Sequence, residues 1–154
     1  MYTRRGWRKY SLLFICFFTF IFTYGQNSLN KNASQLKALR FQTDQYKSQK
    51  HYPQYINTLF QLKRQYEEHK DFSSLAYILS EIGDVYFQWG VYEKAVDYYE
   101  RASDPSYAQY LSSSDQRTIA LKTADANRLL GSYTKAQNNY VNIYKRWGLD
   151  LSEK

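Results

Sequence analysis

The feature that most constrains the fold of this chain is an internal repeat. Tyr52, Tyr92 and Tyr133 recur at a nearly constant interval of about 40 residues. Four further sets of residues align at the same interval: Tyr46, Tyr86 and Asn127; Tyr55, Ala95 and Ala136; Leu59, Tyr99 and Tyr140; Leu62, Ala102 and Ile143. A fixed period of this length is typical of arrays in which each unit buries its apolar face against its neighbours. We therefore predict about three stacked units, at about 36–70, 71–110 and 114–148.

The middle unit has the pattern of two consecutive helices. Asp71 can N-cap a first helix from about Phe72, and Gly90 can supply the left-handed residue that ends it. A second helix runs from about Tyr92 and closes at Ser103–Pro105. The apolar residues of the two helices recur at helical spacing: Leu75, Ile78, Leu79, Ile82 and Tyr86, then Ala95, Val96, Tyr99 and Ala102. The extra length of the period is expected between units, in the segments "HKD" and "SDPSYAQYLSSSD".

The flanking units repeat this plan. In the third unit Ser114 or Asp115 is expected to cap a helix that stops at Gly131, and a partner helix follows over about 133–147. In the first unit a helix over about 34–49 precedes one with a proline in its first turn, where a missing N–H costs nothing. The predicted fold class is therefore all-α, an array of helical hairpins.

Small residues stand among the aromatic residues of the middle unit. We expect Gly83 and Ala95 to face each other across the hairpin, because their lack of bulk lets two helix axes approach to about 8–9 Å. Ala102 would do the same where the second helix meets the next unit. The tyrosines are then expected to fill the space around these close contacts, with their hydroxyl groups directed to water or to polar partners.

Residues 1–25 have the pattern of an export signal. The segment "MYTRRGWRKY" carries four basic residues and no acidic one, and the apolar run Leu12–Phe22 follows it. Cleavage after Gly25 would leave Gln26 as the new N-terminus. An uncleaved anchor is the alternative, although the apolar run is short for a bilayer span of about 20 residues. The predicted location is periplasmic or extracellular, with a membrane contact only if the segment is retained.

Composition excludes several kinds of function for the part that follows, residues 26–154. Of the 21 lysines and arginines, 17 remain against 14 acidic residues, a net charge of +3, and no basic run typical of a nucleic-acid-binding protein is left. The only cysteine, Cys16, lies in the predicted signal, so no disulfide is expected. His51 and His69 have no further ligand at metal-binding spacing. We predict no metal, no cofactor and no enzymatic activity.

The repeated residues resemble the tetratricopeptide repeat (TPR), a helix–turn–helix unit. The middle unit carries the best match to the TPR pattern: Leu79, Ile82, Gly83, Tyr86, Gly90, Tyr92, Ala95, Tyr99 and Ala102. The third unit keeps Ala124, Gly131, Tyr133, Ala136 and Tyr140, with Asn127 and Ile143 at the family's Tyr and Ala positions. The first unit departs most, with Gln42, Thr43, Lys50 and Tyr55 in place of Leu, Gly, Gly and Ala. The resemblance covers about residues 36–150.

The TPR resemblance implies a right-handed superhelical array whose first helices line a concave, peptide-binding groove. Carried over position by position, the groove would contain the following residues: Lys37, Arg40, Asp44 and Lys47; Tyr77, Ser80, Asp84, Phe87 and Gln88; Thr118, Leu121, Asp125 and Arg128. Asp44, Asp84 and Asp125 occupy one repeat position and should form a row that binds a peptide backbone or a basic side chain. The alternative is that each aspartate pairs with Arg40 or Arg128 of a neighbouring unit, or is solvated.

The end of the chain leaves the functional class open between two proposals. The side of the last helix that presents Tyr140, Ile143 and Tyr144 is expected to be partly bare, because only Leu149–Lys154 follow Gly148. That side would permit self-association or partner docking. The leading prediction is a non-catalytic extracytoplasmic scaffold for a protein or peptide. The alternative rests on similarity to membrane-bound sensor kinases with an extracytoplasmic TPR array, of which this chain would be the N-terminal sensory region.

Overall fold

The structure is a computed structural model that describes residues 33–148. All regular secondary structure within that range is helical: α1 (33–48), α2 (Tyr52–His69), α3 (Phe72–Gln88), α4 (Tyr92–Ala102), α5 (Pro105–Ala108), α6 (Ser113–Leu129) and α7 (Tyr133–Trp147). The chain divides into two compact units after Phe41. The predicted all-α fold is therefore confirmed, while the predicted export signal and Leu149–Lys154 lie outside the described residues.

The long helices pack in the order that a repeat array requires. The most extensive packing joins α3 to α4 and α6 to α7, which makes each of these pairs a hairpin. The second helix of one unit then packs on the first helix of the next, α2 on α3 and α4 on α6. Each hairpin therefore buries its apolar residues between itself and a neighbour, as the repeat in the sequence predicted.

The helix ends follow local sequence signals. Asp71 caps α3 by accepting a hydrogen bond from the Ser74 backbone N–H at 3.1 Å, and Gly90 ends it at a φ of +73°. The predicted cap of α6 was wrong by two or three residues. Ser112 is the N-cap, because its hydroxyl oxygen accepts from the Asp115 backbone N–H at 3.1 Å while its own hydroxyl donates to the Asp115 carboxylate. The N-cap serine thus satisfies one backbone N–H at the start of α6, and the Asp115 carboxylate in turn orients the serine hydroxyl.

The segment between the second and third hairpins contains a short helix that the sequence pattern did not predict. Asp104 caps α5 through the Ser106 backbone N–H at 2.9 Å, and Pro105 occupies the first turn. The rings of Tyr107 and Tyr110 then lie 5.8 and 5.9 Å from the ring of Phe72. So short a helix cannot show a helical periodicity, and this aromatic contact with α3 was therefore not visible in the pattern.

Lysine replaces glycine at the end of the first helix without changing its geometry. Lys50 aligns with Gly90 and Gly131, and its φ is +59° against +73° and +83° for the two glycines. The same two backbone hydrogen bonds form at all three helix ends. At the first, the Lys50 N–H donates to the Lys47 carbonyl and the His51 N–H donates to the Tyr46 carbonyl. The repeat geometry therefore imposes a left-handed conformation that a lysine adopts only at a cost.

Gly83 accommodates a tyrosine ring, a close neighbour that the sequence pattern did not assign to it. A Cβ atom on Gly83 would lie 2.5 and 2.6 Å from two ring carbons of Tyr99, and these ring atoms are its nearest neighbours. Tyr99 is 1% exposed, so its ring has no free space into which to move. The small residue at this position is therefore required by the aromatic ring on α4.

The other two units have different pairs at the same two positions. The first unit has Thr43 and Leu59, both completely buried, and the third has Ala124 and Tyr140. The ring of Tyr140 is only half-buried, whereas that of Tyr99 is fully enclosed above a glycine. A larger residue on the first helix therefore goes with a smaller or less buried side chain on the second.

The outer side of α7 is bare in part. Tyr144 is 58% exposed and Tyr140 is half-buried, as the sequence predicted. Ile143 was predicted to lie on the same bare side, and that was wrong, because it is 2% exposed. It aligns with Ala102, which is also buried, and both positions face the interior of the array.

Gly83→Ala is expected to destabilise the protein by roughly 1–3 kcal/mol, because the new methyl group overlaps the buried Tyr99 ring. In a Tyr99→Leu background, which copies the leucine of the first unit, the same substitution should be neutral or stabilising by up to about 1 kcal/mol, because alanine is the better helix former once the ring is gone. Urea unfolding followed by circular dichroism measures both effects. An equal cost in the two backgrounds would contradict the assigned contact.

Candidate protein-binding face

Polar side chains connect the first helices of the second and third hairpins. The hydroxyl of Tyr77 on α3 donates to a carboxylate oxygen of Asp115 on α6 at 2.5 Å. Further along, the Lys122 ammonium of α6 donates to Ser80 Oγ at 3.2 Å and to Asp84 Oδ2 at 2.8 Å. We call these five side chains the α3–α6 face. The contacts cross from one repeat to the next, so they fix the spacing of the two helices.

The aspartates of the predicted row have a shared structural role in two of the three units. Asp84 accepts a hydrogen bond from the Tyr99 hydroxyl at 2.8 Å, and Asp125 accepts one from the Tyr140 hydroxyl. In both pairs the tyrosine lies on the second helix of the same hairpin, at the same distance along the sequence from its aspartate. The aspartates therefore tie each hairpin together.

These contacts shift the pKa values of the tyrosines. Burial, followed by the charge and hydrogen bonding of Asp84, raises the pKa of Tyr99 far above its usual value. Burial and the hydrogen bond to Asp125 raise the pKa of Tyr140 in the same way. Asp115 shows the complementary effect, because hydrogen bonds from Ser112 and Tyr77 lower the pKa of its carboxyl group. The neutral forms of Tyr99 and Tyr140 and the charged form of Asp115 are therefore favoured in this network.

The structure brings only part of the predicted groove together. Tyr77, Ser80 and Asp84 belong to the α3–α6 face, and Leu121 and Asp125 lie half-buried on α6. The remaining predicted residues are placed as follows: Lys37, Asp44 and Lys47 are exposed and Arg40 is half-buried on α1, Phe87 packs edge-on against Tyr92 at 5.5 Å, Thr118 is exposed on α6, and Gln88 and Arg128 are exposed near the ends of α3 and α6.

The arginine pairing considered for Asp84 from sequence also needs correction. Asp84 forms its ion pair with Lys122 of the next unit, and not with an arginine. Asp44 has a different setting from the other two, because the position equivalent to Tyr99 and Tyr140 holds the buried Leu59 in the first unit. The three equivalent aspartates therefore differ in their surroundings: Asp84 and Asp125 accept from a tyrosine of the second helix, and the first unit has no tyrosine at that position.

Sequence reasoning missed Lys122 and Asp115, which complete the face. Asp84 and Lys122 are separated by nearly one repeat length in the sequence, and this spacing of opposite charges was the available signal. A second ion pair supports the same kind of connection, because Lys47 Nζ on α1 lies 3.6 Å from Glu81 on α3. A consensus groove pattern gives no weight to such pairs, because they depend on which helix turns are adjacent.

The face offers hydrogen bonding and charge, with one large aromatic side chain. Lys122 and Asp84 keep about a third of their side-chain surfaces exposed, at 34% and 32%, and Tyr77 is 43% exposed. The described residues contain no group of three or more His, Cys, Asp or Glu side chains that would hold a metal ion. None of the helices between residues 33 and 148 has the length and apolarity needed to cross a membrane.

The hairpins are stacked, and hydrogen bonds and an ion pair connect the first helices of the second and third hairpins. This arrangement defines a helical-repeat protein of the class that serves as a protein-interaction scaffold. The family model described as "SNAP: Soluble NSF attachment protein, SNAP" matches residues 26–148. This chain belongs to the SNAP family. The match agrees with the TPR-like fold and gives no support to the sensor-kinase resemblance. No match was found among curated proteins.

Unfolding free energy is expected to fall as the pH rises above about 10, because the unfolded chain releases tyrosine protons that the folded chain retains. The raised pKa of Tyr99 makes its contribution complete below about pH 10 and lost above it. Tyr99→Phe should therefore lower stability at pH 8 and reduce the loss between pH 9 and about 11. Urea unfolding across this range is the measurement, with Tyr133→Phe, an exposed hydroxyl, as control. An unchanged slope in Tyr99→Phe would be the contrary result.

Proposed function

We propose that this protein is a non-catalytic scaffold that binds an extended segment of a protein partner on the α3–α6 face. One observation carries the proposal: the face holds partly exposed side chains in fixed positions through contacts between two repeats. A ligand that reaches Tyr77, Asp84 and Lys122 finds them already ordered, so less conformational entropy is lost on binding. Membership of a family named for attachment to another protein supports a role in protein binding.

The chemistry of the face indicates how the partner is held. Tyr77 supplies a large, rigid contact of the kind that anchors interfaces. Lys122 has three N–H donors and Asp84 has two acceptor oxygens, so both retain capacity beyond the bonds they make to each other. An extended peptide would place backbone carbonyl groups toward Lys122 and backbone N–H groups toward Asp84. The face therefore favours main-chain recognition with one aromatic contact.

Site-specific photo-crosslinking tests the proposal in the producing cell. A photoreactive phenylalanine derivative at Gln88, exposed at the end of α3, or at Arg117, half-buried on α6 between Asp115 and Lys122, is expected to capture a discrete protein partner. The same residue at Glu93 or Asp97 of α4, both exposed, is the matched control and should not capture it.

A double substitution provides the second arm of the same experiment. In an Asp84→Asn, Asp125→Asn background, which keeps acceptors for the two tyrosines, capture should fall several-fold, because the carboxylate charges that would meet the partner are gone. Circular dichroism of the variant checks that the helices persist. Equal capture from the control positions, or no effect of the double substitution, would refute the binding face.

An extracytoplasmic location is a second part of the proposal, and it rests on the basic and apolar segments of residues 1–25. The family match begins at residue 26, directly after this segment. N-terminal sequencing of the protein purified from its host is expected to begin at Gln26. An intact Met1 would show that residues 1–25 are not cleaved, and an uncleaved membrane anchor would then be the remaining proposal for this segment.

The same leader favours the alternative in which this region senses a ligand for a membrane-bound signalling receptor. A reading frame that continues beyond codon 154 into a membrane span would support that alternative. Self-association remains a further proposal, supported by the exposed Tyr133, Val141 and Tyr144 on α7. Light scattering of the purified chain distinguishes a monomer, which would exclude it, from a dimer.

A further inference from the structure

A pocket of about 240 Å³ lies at the seam where α4, α6 and α7 meet. Its walls include Glu100 of α4, Ala120 and Thr123 of α6, and Asn139 and Trp147 of α7. None of these five side chains belongs to the α3–α6 face. The pocket is therefore a separate concavity, formed between the second helices of two consecutive hairpins and the first helix of the later one.

The equivalent seam one repeat earlier is filled with large side chains. At the meeting of α2, α3 and α4, the rings of Phe60 and Tyr98 pack edge-on with centroids 6.3 Å apart. Tyr86 stacks on Tyr98 at 5.5 Å, and Leu79 and Ile82 are completely buried on the same helix as Tyr86. Aromatic and aliphatic groups thus occupy this seam.

Every one of these positions carries a smaller residue in the next repeat. A shift of one repeat relates the five pairs as follows: Phe60 to Glu100, Leu79 to Ala120, Ile82 to Thr123, Tyr86 to Asn127 and Tyr98 to Asn139. Glu100, Ala120, Thr123 and Asn139 line the pocket. The pocket therefore occupies the space that two aromatic rings fill one repeat earlier, since the backbone arrangement is shared and the side chains are not.

The size of the pocket limits what it can hold. An apolar cavity of about 150 Å³ accepts a benzene ring, while pockets for drug-sized molecules span about 300–1,000 Å³. The volume of about 240 Å³ lies between these limits and suits one substituted aromatic ring. Ile143 and Ala120 give the pocket an apolar floor, whereas Asn139 and Asn142 place amide groups that can bond to a phenol or indole edge.

One wall of the pocket is held rigid by hydrogen bonds from α7 to α6. Trp147 donates its indole N–H to Ser113 Oγ at 2.9 Å. Arg146 donates to Gln116 Oε1 at 2.8 Å, and its guanidinium carbon lies 4.6 Å from the centroid of the Trp147 ring. A fixed indole ring is a ready partner for edge-to-face or offset contact with a second aromatic ring.

We propose that this pocket binds a tyrosine or tryptophan side chain of a polypeptide ligand. The missing ring pair gives the chemistry, an aromatic ring with a hydrogen-bonding edge. The volume is that of one side chain, and the polar rim of Glu100 and Arg146 around an apolar floor has the composition of an anchor pocket in a protein interface. This interface is independent of the α3–α6 face, so either one can fail without the other.

Nuclear magnetic resonance of the ¹⁵N-labelled full chain tests the ligand class with N-acetyl-tyrosinamide as the probe. The indole N–H of Trp147 and the side-chain amide of Asn142 are expected to shift with a dissociation constant on the order of 1 mM. Trp89, which contacts Tyr86 in the filled seam, is the internal reference and should not shift.

Equal shifts with N-acetyl-leucinamide would refute aromatic recognition. Binding of free p-cresol without binding of the capped amide would refute a polypeptide source, and absence of shifts with every probe would refute the pocket itself.

Refilling the pocket provides the matched test. Asn139→Tyr restores the tyrosine of the earlier repeat and is expected to weaken N-acetyl-tyrosinamide binding at least tenfold. Asn138→Tyr makes the same change at the preceding, exposed position of α7, which does not line the pocket, and should leave binding unchanged. Ala120→Leu fills the floor instead and should have the effect of Asn139→Tyr if that variant does not fold. Undiminished binding in the folded refilled variant would overturn the assignment.

Discussion

The contact between Tyr99 and the pair Gly83–Asp84 is the interaction on which the rest of the array depends. The ring lies where any side chain on Gly83 would lie, and the hydroxyl donates to the adjacent aspartate. Shape and hydrogen bonding thus fix the position of α4 on α3 with a single residue. Since Asp84 also binds Lys122 of the following unit, the same contact sets where the next first helix lies.

The proposed aromatic-binding pocket lies where the repeats differ. The hairpins share backbone geometry so closely that Lys50 adopts the left-handed conformation that glycine has in the other two. Their side chains differ more. Phe60 and Tyr98 pack against each other in one seam, whereas Glu100 and Asn139 occupy the equivalent positions in the next seam. A regular backbone with variable side-chain volume provides cavities and polar faces without disturbing the packing of the helices.

Much of the fold could be predicted from the sequence, because helix ends and apolar periodicity depend on residues close in the chain. Asp71 and Gly90 act at the positions predicted for them. The short helix α5 was missed, since it packs through tyrosine rings that meet Phe72, a residue far away in the chain. The candidate face was predicted only in part, because Lys122 is selected by its position across a repeat boundary and not by its neighbours in sequence.

The sequence by itself determined the number and type of units, the helices with most of their caps, and the need for a small residue at Gly83. These features follow from local conformational preference and a repeated apolar pattern. Only the tertiary structure decided that the small residue accommodates Tyr99, that the aspartates bind tyrosines and a lysine, and that one seam is open while its equivalent is full. Those outcomes depend on side-chain volumes and distances between segments that are far apart in the chain, which no local pattern contains.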